Sequence, residues 1–91
     1  TEVLNVGGLK FMASEVERVA LQFDGIELVK AEGKPNPITG QHVEITVQAV
    51  EGVKIGRNDF IRYMKTSLPK HMAPIRYQFQ KIVFGHRFKK R

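Results

Sequence analysis

Histidine is the residue type in this chain most often used for metal binding or proton transfer. The three histidines, His42, His71 and His86, lie far apart in the sequence and form no metal-binding motif. The chain has no cysteine, which excludes disulfides and thiolate ligands. We therefore predict no metal site.

Serine and glutamate side chains also give no self-contained active site. Ser14 and Ser67 lack the sequence context of a serine nucleophile and are expected at helix ends. Glu15 and Glu17 are predicted to be helix-start charges, stabilised by the helix dipole, rather than an acid–base pair. No P-loop and no glycine-rich dinucleotide motif is present.

Positive charge is a broader chemical signal. The 91-residue chain has a net charge of +6, and four of its last five residues, from Arg87 to Arg91, are cations. An excess of this sign favours an anionic partner, such as nucleic acid, a membrane surface or a phosphorylated small molecule. A solvated tail is the simpler explanation of the terminal run.

RNA binding is one alternative function. Residues 81–88 interleave aromatic and cationic side chains, as base stacking requires. They lack the start of the RNA-recognition consensus and lie at the chain end rather than on a central strand. Phe79 and Phe84 are more simply explained as core residues, so nucleic acid is not the partner that we favour.

Two helices are predicted from apolar spacing. Ser14 and Glu17 match a capping box at the start of the first helix, which Asp24-Gly25 should end. Asn58 or Asp59 is predicted to cap the second. The apolar stripes are Val16, Val19, Ala20 and Phe23 in the first helix, and Phe60, Ile61, Met64 and Leu68 in the second.

The strands are predicted from turn residues and alternation. Short strands at 3–6 and 9–11 flank Gly7-Gly8, a strand at 26–32 precedes a loop at 34–40, and residues 42–50 alternate between apolar and polar. After a link bracketed by Pro69 and Pro74, residues 75–84 look extended. The predicted fold is α+β: a small β-hairpin plus an about three-stranded, mostly antiparallel sheet with two packed helices.

The length and composition predict one globular domain, since 91 residues leave no room for two cores. No apolar run approaches the ~20 residues of a membrane span. Cytoplasm is the expected compartment. The first residue is Thr1 rather than methionine, so we expect a piece of a larger protein.

The opening segment carries a more specific signal. Residues 2–17 resemble the segment that opens the C-terminal domain of adenylate-forming enzymes, the superfamily of acyl-CoA synthetases, peptide-synthetase adenylation domains and luciferases. That segment has a glycine, a cation two residues later and a closing Glu–apolar–Glu. The matching positions are Gly8, Lys10, Glu15, Val16 and Glu17.

The chain end departs from the family pattern, which closes on a lysine that assists adenylation. Alignment on Phe79 puts Lys89 at that lysine, and Lys90 is the second candidate for the catalytic role. Alignment on Gly85 would put His86 there but needs a longer deletion. A third possibility is that neither lysine is catalytic.

The resemblance implies that residues 1–91 are the C-terminal lid domain of an ATP-dependent acyl-adenylate-forming ligase, most similar to acyl-CoA synthetases. The large N-terminal catalytic domain, absent here, would bind ATP, with Mg, and a carboxylic acid. The lid would supply the terminal lysine to adenylation. It would then rotate about a hinge at Thr1-Glu2 and present its glycine hairpin for thioester formation.

In that second step the thiol belongs to coenzyme A or to the pantetheine arm of a carrier protein. The resemblance assigns Gly7 and Gly8 to a close approach of this ligand and Lys10 to a phosphate. The isolated chain is expected to be inactive. A basic nucleic-acid-binding module and a non-catalytic interaction domain with the same fold are the alternatives.

Overall fold

The computed structural model describes residues 2–81 and the backbone of Lys89–Lys90. Its helices are α1 (Ala13–Leu21) and α2 (Arg57–Ser67). Its strands are β1 (Val3–Val6), β2 (Leu9–Met12), β3 (Ile26–Asn36), β4 (Gly40–Ala49), β5 (Arg76–Phe79) and β6 (Lys89–Lys90).

The strands form two sheets. β1 and β2 make an antiparallel hairpin, and the second sheet has the order β5-β4-β3-β6. β3 pairs antiparallel with β4 and with the two-residue β6, whereas β4 and β5 are parallel. The predicted α+β class, with a hairpin, a mostly antiparallel sheet and two helices, is confirmed.

The core lies on one face of the larger sheet. The apolar half of the β4 alternation is buried at Val43, Ile45 and Val47, as predicted. Helix α1 packs on β3, and α2 packs with Phe60 against the rings of Tyr77 and Phe79 on β5. Leu4 of the hairpin is fully buried in the same cluster, so both helices and the hairpin cover one face.

Both predicted helix starts were wrong. Helix α1 begins after Met12, whose N–H donates to the carboxylate of Glu15 at 2.9 Å, so Ser14 lies inside the helix. Helix α2 begins after Gly56, which places Asn58 and Asp59 within its first turn. At each start the chain leaves an extended residue, and that backbone geometry decided the boundary.

Glu17 has a different role from the predicted helix-start charge. Its side chain is 5% exposed, and its carboxylate accepts the backbone N–H of Ala31 at 2.9 Å. A buried carboxylate is stabilised by such hydrogen bonds. Glu17 therefore ties α1 to the middle of β3.

The link and strand boundaries are close to prediction. β3 continues through the first part of the predicted 34–40 loop, which reduces the turn to residues 37–39. The irregular link between Pro69 and Pro74 is confirmed. Residues 82–84 of the predicted terminal strand lie outside the described residues. No helix in the described part of the chain is long and apolar enough to span a membrane.

Tyr77 carries a buried hydroxyl with no hydrogen-bond partner among the described residues. Burial raises the pKa of Tyr77 from 10.0 to about 12. Between those values the unfolded chain has released this proton and the folded chain has not. Folding stability contributed through Tyr77 is therefore constant below pH 10 and falls as the pH rises from 10 towards 12.

Replacing Tyr77 by phenylalanine removes the unpaired hydroxyl and its ionisation. We expect Tyr77→Phe to raise the free energy of unfolding by about 1 kcal/mol at pH 7. The difference in the free energy of unfolding between Tyr77→Phe and the unsubstituted chain should grow above pH 10. Urea denaturation at several pH values measures this difference. Tyr63→Phe is the control, because it loses a hydrogen bond to the Val19 carbonyl and should lower stability. Parallel pH profiles for Tyr77→Phe and the unsubstituted chain would contradict the prediction.

Candidate functional site

The glycine hairpin turns in two residues. Gly7 and Gly8 have φ values of +61° and +87°, the conformation of the type I′ turn that joins short antiparallel strands. The Asn5 side chain accepts the Gly8 N–H at 3.0 Å. A Cβ on either glycine would meet no atom of the described residues within 4 Å, so this part of the chain leaves open space over the turn for a ligand or partner.

The tip of the hairpin is attached to the turn between β3 and β4. The Gly7 N–H donates to the Thr39 carbonyl at 2.8 Å, and the Asn5 N–H donates to the Gln41 side-chain oxygen, also at 2.8 Å. These bonds join segments more than thirty residues apart. No motif in the sequence predicted these two hydrogen bonds.

Lys10 lies on the outward face of the hairpin, opposite Asn5 in the β1–β2 register. It is exposed, and the neighbouring outward pair, Val3 and Met12, is also exposed. Lys10 thus lies close to the Gly7-Gly8 turn, two residues after it in the chain. The side chain is free to approach a phosphate from solvent.

An open groove of about 560 Å³ runs beside the hairpin. Its walls come from the hairpin, the β3–β4 turn and the link after α2. Three of its apolar side chains are well exposed: Leu9 at 54%, Ile38 at 90% and Ile75 at 63%. Lys70 and His71 also line it. The sequence analysis missed this groove, although an isoleucine in a turn of polar residues and prolines was a signal for it.

The terminal lysines lie elsewhere. The backbone of Lys89 pairs with Val29 and that of Lys90 with Leu28. This pairing is on the edge of β3 opposite β4, near the start of β3. The glycine hairpin contacts the turn that follows Asn36 at the other end of β3. Val29 and Asn36 are seven residue steps apart along the strand, or about 23 Å. The two groups of predicted site residues therefore lie at opposite ends of one strand.

The hinge prediction falls at the edge of the described chain. Thr1 lies outside the described residues. The Glu2 carbonyl accepts the Ala13 N–H at 2.8 Å, so Glu2 is joined to the start of α1. Gly85 and His86, the alternative alignment, also lie outside the described residues.

The described residues offer little to a single-stranded nucleic acid. Every aromatic ring among residues 2–81 is buried or half-buried, whereas base stacking needs exposed rings. The Phe79 ring packs against Phe60, with the Arg57 guanidinium 5.3 Å from its centroid. In this part of the chain no group of three or more His, Asp or Glu side chains is arranged to hold a metal ion.

Comparison with known proteins identifies relatives. No protein-family model matches the chain. The sequence is 27% identical over 81 residues to 4-hydroxybutyrate–CoA ligase 2 of Metallosphaera sedula, which covers 89% of this chain and 15% of that protein.

Two solved structures illustrate the similarity in fold. A fatty acyl CoA synthetase from Mycobacterium tuberculosis matches with a TM-score of 0.77 and 21% identity, over 97% of this chain and 18% of that one. ATP-bound MatB from Rhodopseudomonas palustris matches with a TM-score of 0.80 and 19% identity, over 93% and 17%.

The chain thus spans less than a fifth of each of these proteins. The resemblance indicated by the opening motif is confirmed: the chain is similar in sequence to a CoA ligase, and it shares its fold with acyl-CoA synthetases.

Proposed function

We propose that residues 1–91 are the mobile C-terminal domain of an ATP-dependent, AMP-forming acid–thiol ligase of the acyl-CoA synthetase type. The observation that carries this proposal is the exposed glycine hairpin. It presents the opening-motif residues Gly7, Gly8 and Lys10 together, on a fold shared with acyl-CoA synthetases. The larger N-terminal domain of the parent enzyme would hold ATP, with Mg, and the carboxylic acid.

The proposed reaction has two steps. A carboxylate oxygen of the acid attacks the α-phosphorus of ATP, and the bond to pyrophosphate breaks. This step gives an acyl-adenylate. The thiol of coenzyme A, or of a carrier protein's pantetheine arm, then attacks the acyl carbonyl, and AMP leaves as the bond to its phosphate oxygen breaks.

Lys89 is our candidate for the first step, with Lys90 as its neighbour. An ammonium beside the α-phosphate stabilises the negative charge that develops during transfer. Loss of such a contact costs on the order of 3–4 kcal/mol in the transition state. Lysine suits this role because its charge is compact and its stem is long.

The glycine hairpin is our candidate for the second step. The open space over Gly7 and Gly8 allows a pantetheine arm to pass close to the backbone. Exposed Lys10 is positioned for a phosphate group on the same ligand. The apolar groove beside the hairpin is a surface through which this end of the domain would contact the rest of the enzyme.

Two orientations of the domain follow from this assignment. The point of β3 beside the terminal lysines and the end of β3 beside the glycine hairpin lie about 23 Å apart along the strand. One fixed orientation of the domain therefore cannot bring both groups to one reaction centre. A rotation between the steps would exchange them. Because Glu2 is hydrogen-bonded to Ala13, we propose that the hinge lies at Thr1-Glu2 or before it.

The first prediction concerns the terminal lysines in the full-length ligase. We expect Lys89→Ala to lower the rate of ATP–pyrophosphate exchange ~10²–10³-fold, because the transition state loses a charge contact. Thioester formation from a supplied acyl-adenylate should not change. Lys90→Ala is the matched control and should affect both steps little.

Two results would contradict the assignment. If both lysine variants exchange pyrophosphate at the normal rate, neither lysine is catalytic. If the 91-residue chain alone releases AMP from ATP, acid and coenzyme A, the dependence on an N-terminal domain is wrong.

The second prediction separates the turn geometry from the surface of the hairpin. Asparagine is common at the first position of a type I′ turn, so Gly7→Asn should fold with nearly normal stability. Its side chain would occupy the open space over the turn. We therefore expect slower thioester formation with unchanged pyrophosphate exchange in the full-length ligase.

Gly8→Ala is the comparison for stability. Alanine at a φ of +87° should lower the free energy of unfolding by about 1 kcal/mol, measured by urea denaturation. A Gly7→Asn enzyme with normal thioester formation would argue against a close approach of the ligand at this turn.

A further inference from the structure

We propose that Gln41, Asn36 and His42 are positioning residues that fix the glycine hairpin through the β3–β4 turn. Hydrogen bonds among the described residues support their role in holding the hairpin. Their role in thioester formation rests on the proposed function, and separate experiments test the two roles.

The first contact is direct. The Gln41 side-chain oxygen accepts the N–H of Asn5, and the Thr39 carbonyl accepts the N–H of Gly7. Asn5 in turn holds Gly8 through its side chain. The hairpin is thus bonded through β1 and through its glycine turn to the β3–β4 turn and the start of β4, whereas its inner residues are held by burial of Leu4 and Phe11.

Gly33 makes room for the Gln41 amide. A Cβ at Gly33 would lie 2.9 Å from the Gln41 side-chain nitrogen and 2.8 Å from a methyl group of Leu4. Both distances are shorter than ordinary van der Waals contact. This glycine in the middle of a long strand therefore allows both the Gln41 contact and the burial of the hairpin.

Asn36 builds the turn that carries Thr39. Its side-chain oxygen accepts the N–H groups of Ile38 and Thr39, at 2.9 and 3.2 Å. The Thr39 hydroxyl donates to the Gln41 carbonyl. These bonds fix the direction of the Thr39 carbonyl, which receives the Gly7 N–H.

The Asn36 amide also determines which ring nitrogen of neutral His42 carries the proton. Because the Asn36 oxygen is used by the turn, its nitrogen faces His42 Nδ1 at 3.0 Å and must donate to it. His42 Nε2 then carries the proton and donates to the Glu44 carboxylate at 2.8 Å. A proton added at Nδ1 would face the Asn36 N–H group, and one of the two side chains would have to turn.

Several charged groups surround this ring. Glu44 also meets Arg76 of β5 at 3.6 Å, and Lys34 is the β3 residue paired with His42. Lys70 and His71 line the groove that His42 lines too.

The first test measures amide hydrogen exchange in the 91-residue chain. Gln41→Met keeps the length of the side chain and removes its oxygen acceptor. We expect exchange at Asn5 to accelerate about tenfold, with a smaller effect at Gly7. Gln41→Glu retains an acceptor and should restore protection, and exposed Gln80→Met is the matched control. Unchanged exchange at Asn5 in Gln41→Met would overturn the proposal.

The second test needs no substitution, so it does not depend on the folding of a variant. Nitrogen-15 chemical shifts of the imidazole rings report which nitrogen is protonated. We expect neutral His42 to be protonated at Nε2 only. A proton on Nδ1 of neutral His42 would overturn the link through Asn36.

The third test uses the full-length ligase. We expect Gln41→Met to slow thioester formation from a supplied acyl-adenylate about tenfold, because a displaced hairpin misaligns the thiol. Pyrophosphate exchange should be unchanged, and Gln41→Glu should recover the rate. Normal thioester formation in Gln41→Met would overturn the positioning role. An unsubstituted protein without pyrophosphate exchange would instead refute the proposed function and leave the hydrogen-exchange result intact.

Discussion

The antiparallel ladder between β3 and β4 is the constraint on which the rest of this structure depends. Its ten-residue register fixes which side chains face the helices and where the chain turns back. Because side chains alternate along a strand, a shift of one residue would move Val43, Ile45 and Val47 from the core to solvent. The large loss of apolar burial in such a shift holds the register in place.

Both candidate sites take their positions from this ladder. The glycine hairpin is bonded to its turn end, and the backbone of the terminal lysines pairs with its free edge near the other end. The strands between them act as a spacer of fixed length. A domain built in this way would serve two reaction steps by reorientation as a rigid body, which agrees with the function that we propose.

Side-chain contacts of Asn36 and Gln41 hold the turn end of the β3–β4 ladder in place. The Asn36 oxygen is committed to the turn, which leaves its nitrogen to His42, and the Gln41 amide occupies the space over Gly33. The hairpin tip therefore owes its placement to side chains of another strand pair, not to its own two-residue turn alone.

The amino-acid sequence by itself determined the two-residue glycine turn, the apolar faces of both helices and the alternation of β4. These features depend on local backbone geometry and on periodic burial, which can be read from neighbouring residues. The opening motif also indicated the resemblance to acyl-CoA synthetases. The helix starts and the role of Glu17 could not be predicted this way. An extended residue before each helix set the helix starts, and a backbone N–H on β3 set the role of Glu17.

Only the tertiary structure decided how the candidate site is assembled. The bonds from Asn5 to Gln41 and from Gly7 to Thr39 join residues that are distant in the chain. The groove beside them forms where three separate segments meet. No local pattern specifies such contacts, since they exist only after the β3–β4 ladder has brought its turn beneath the hairpin.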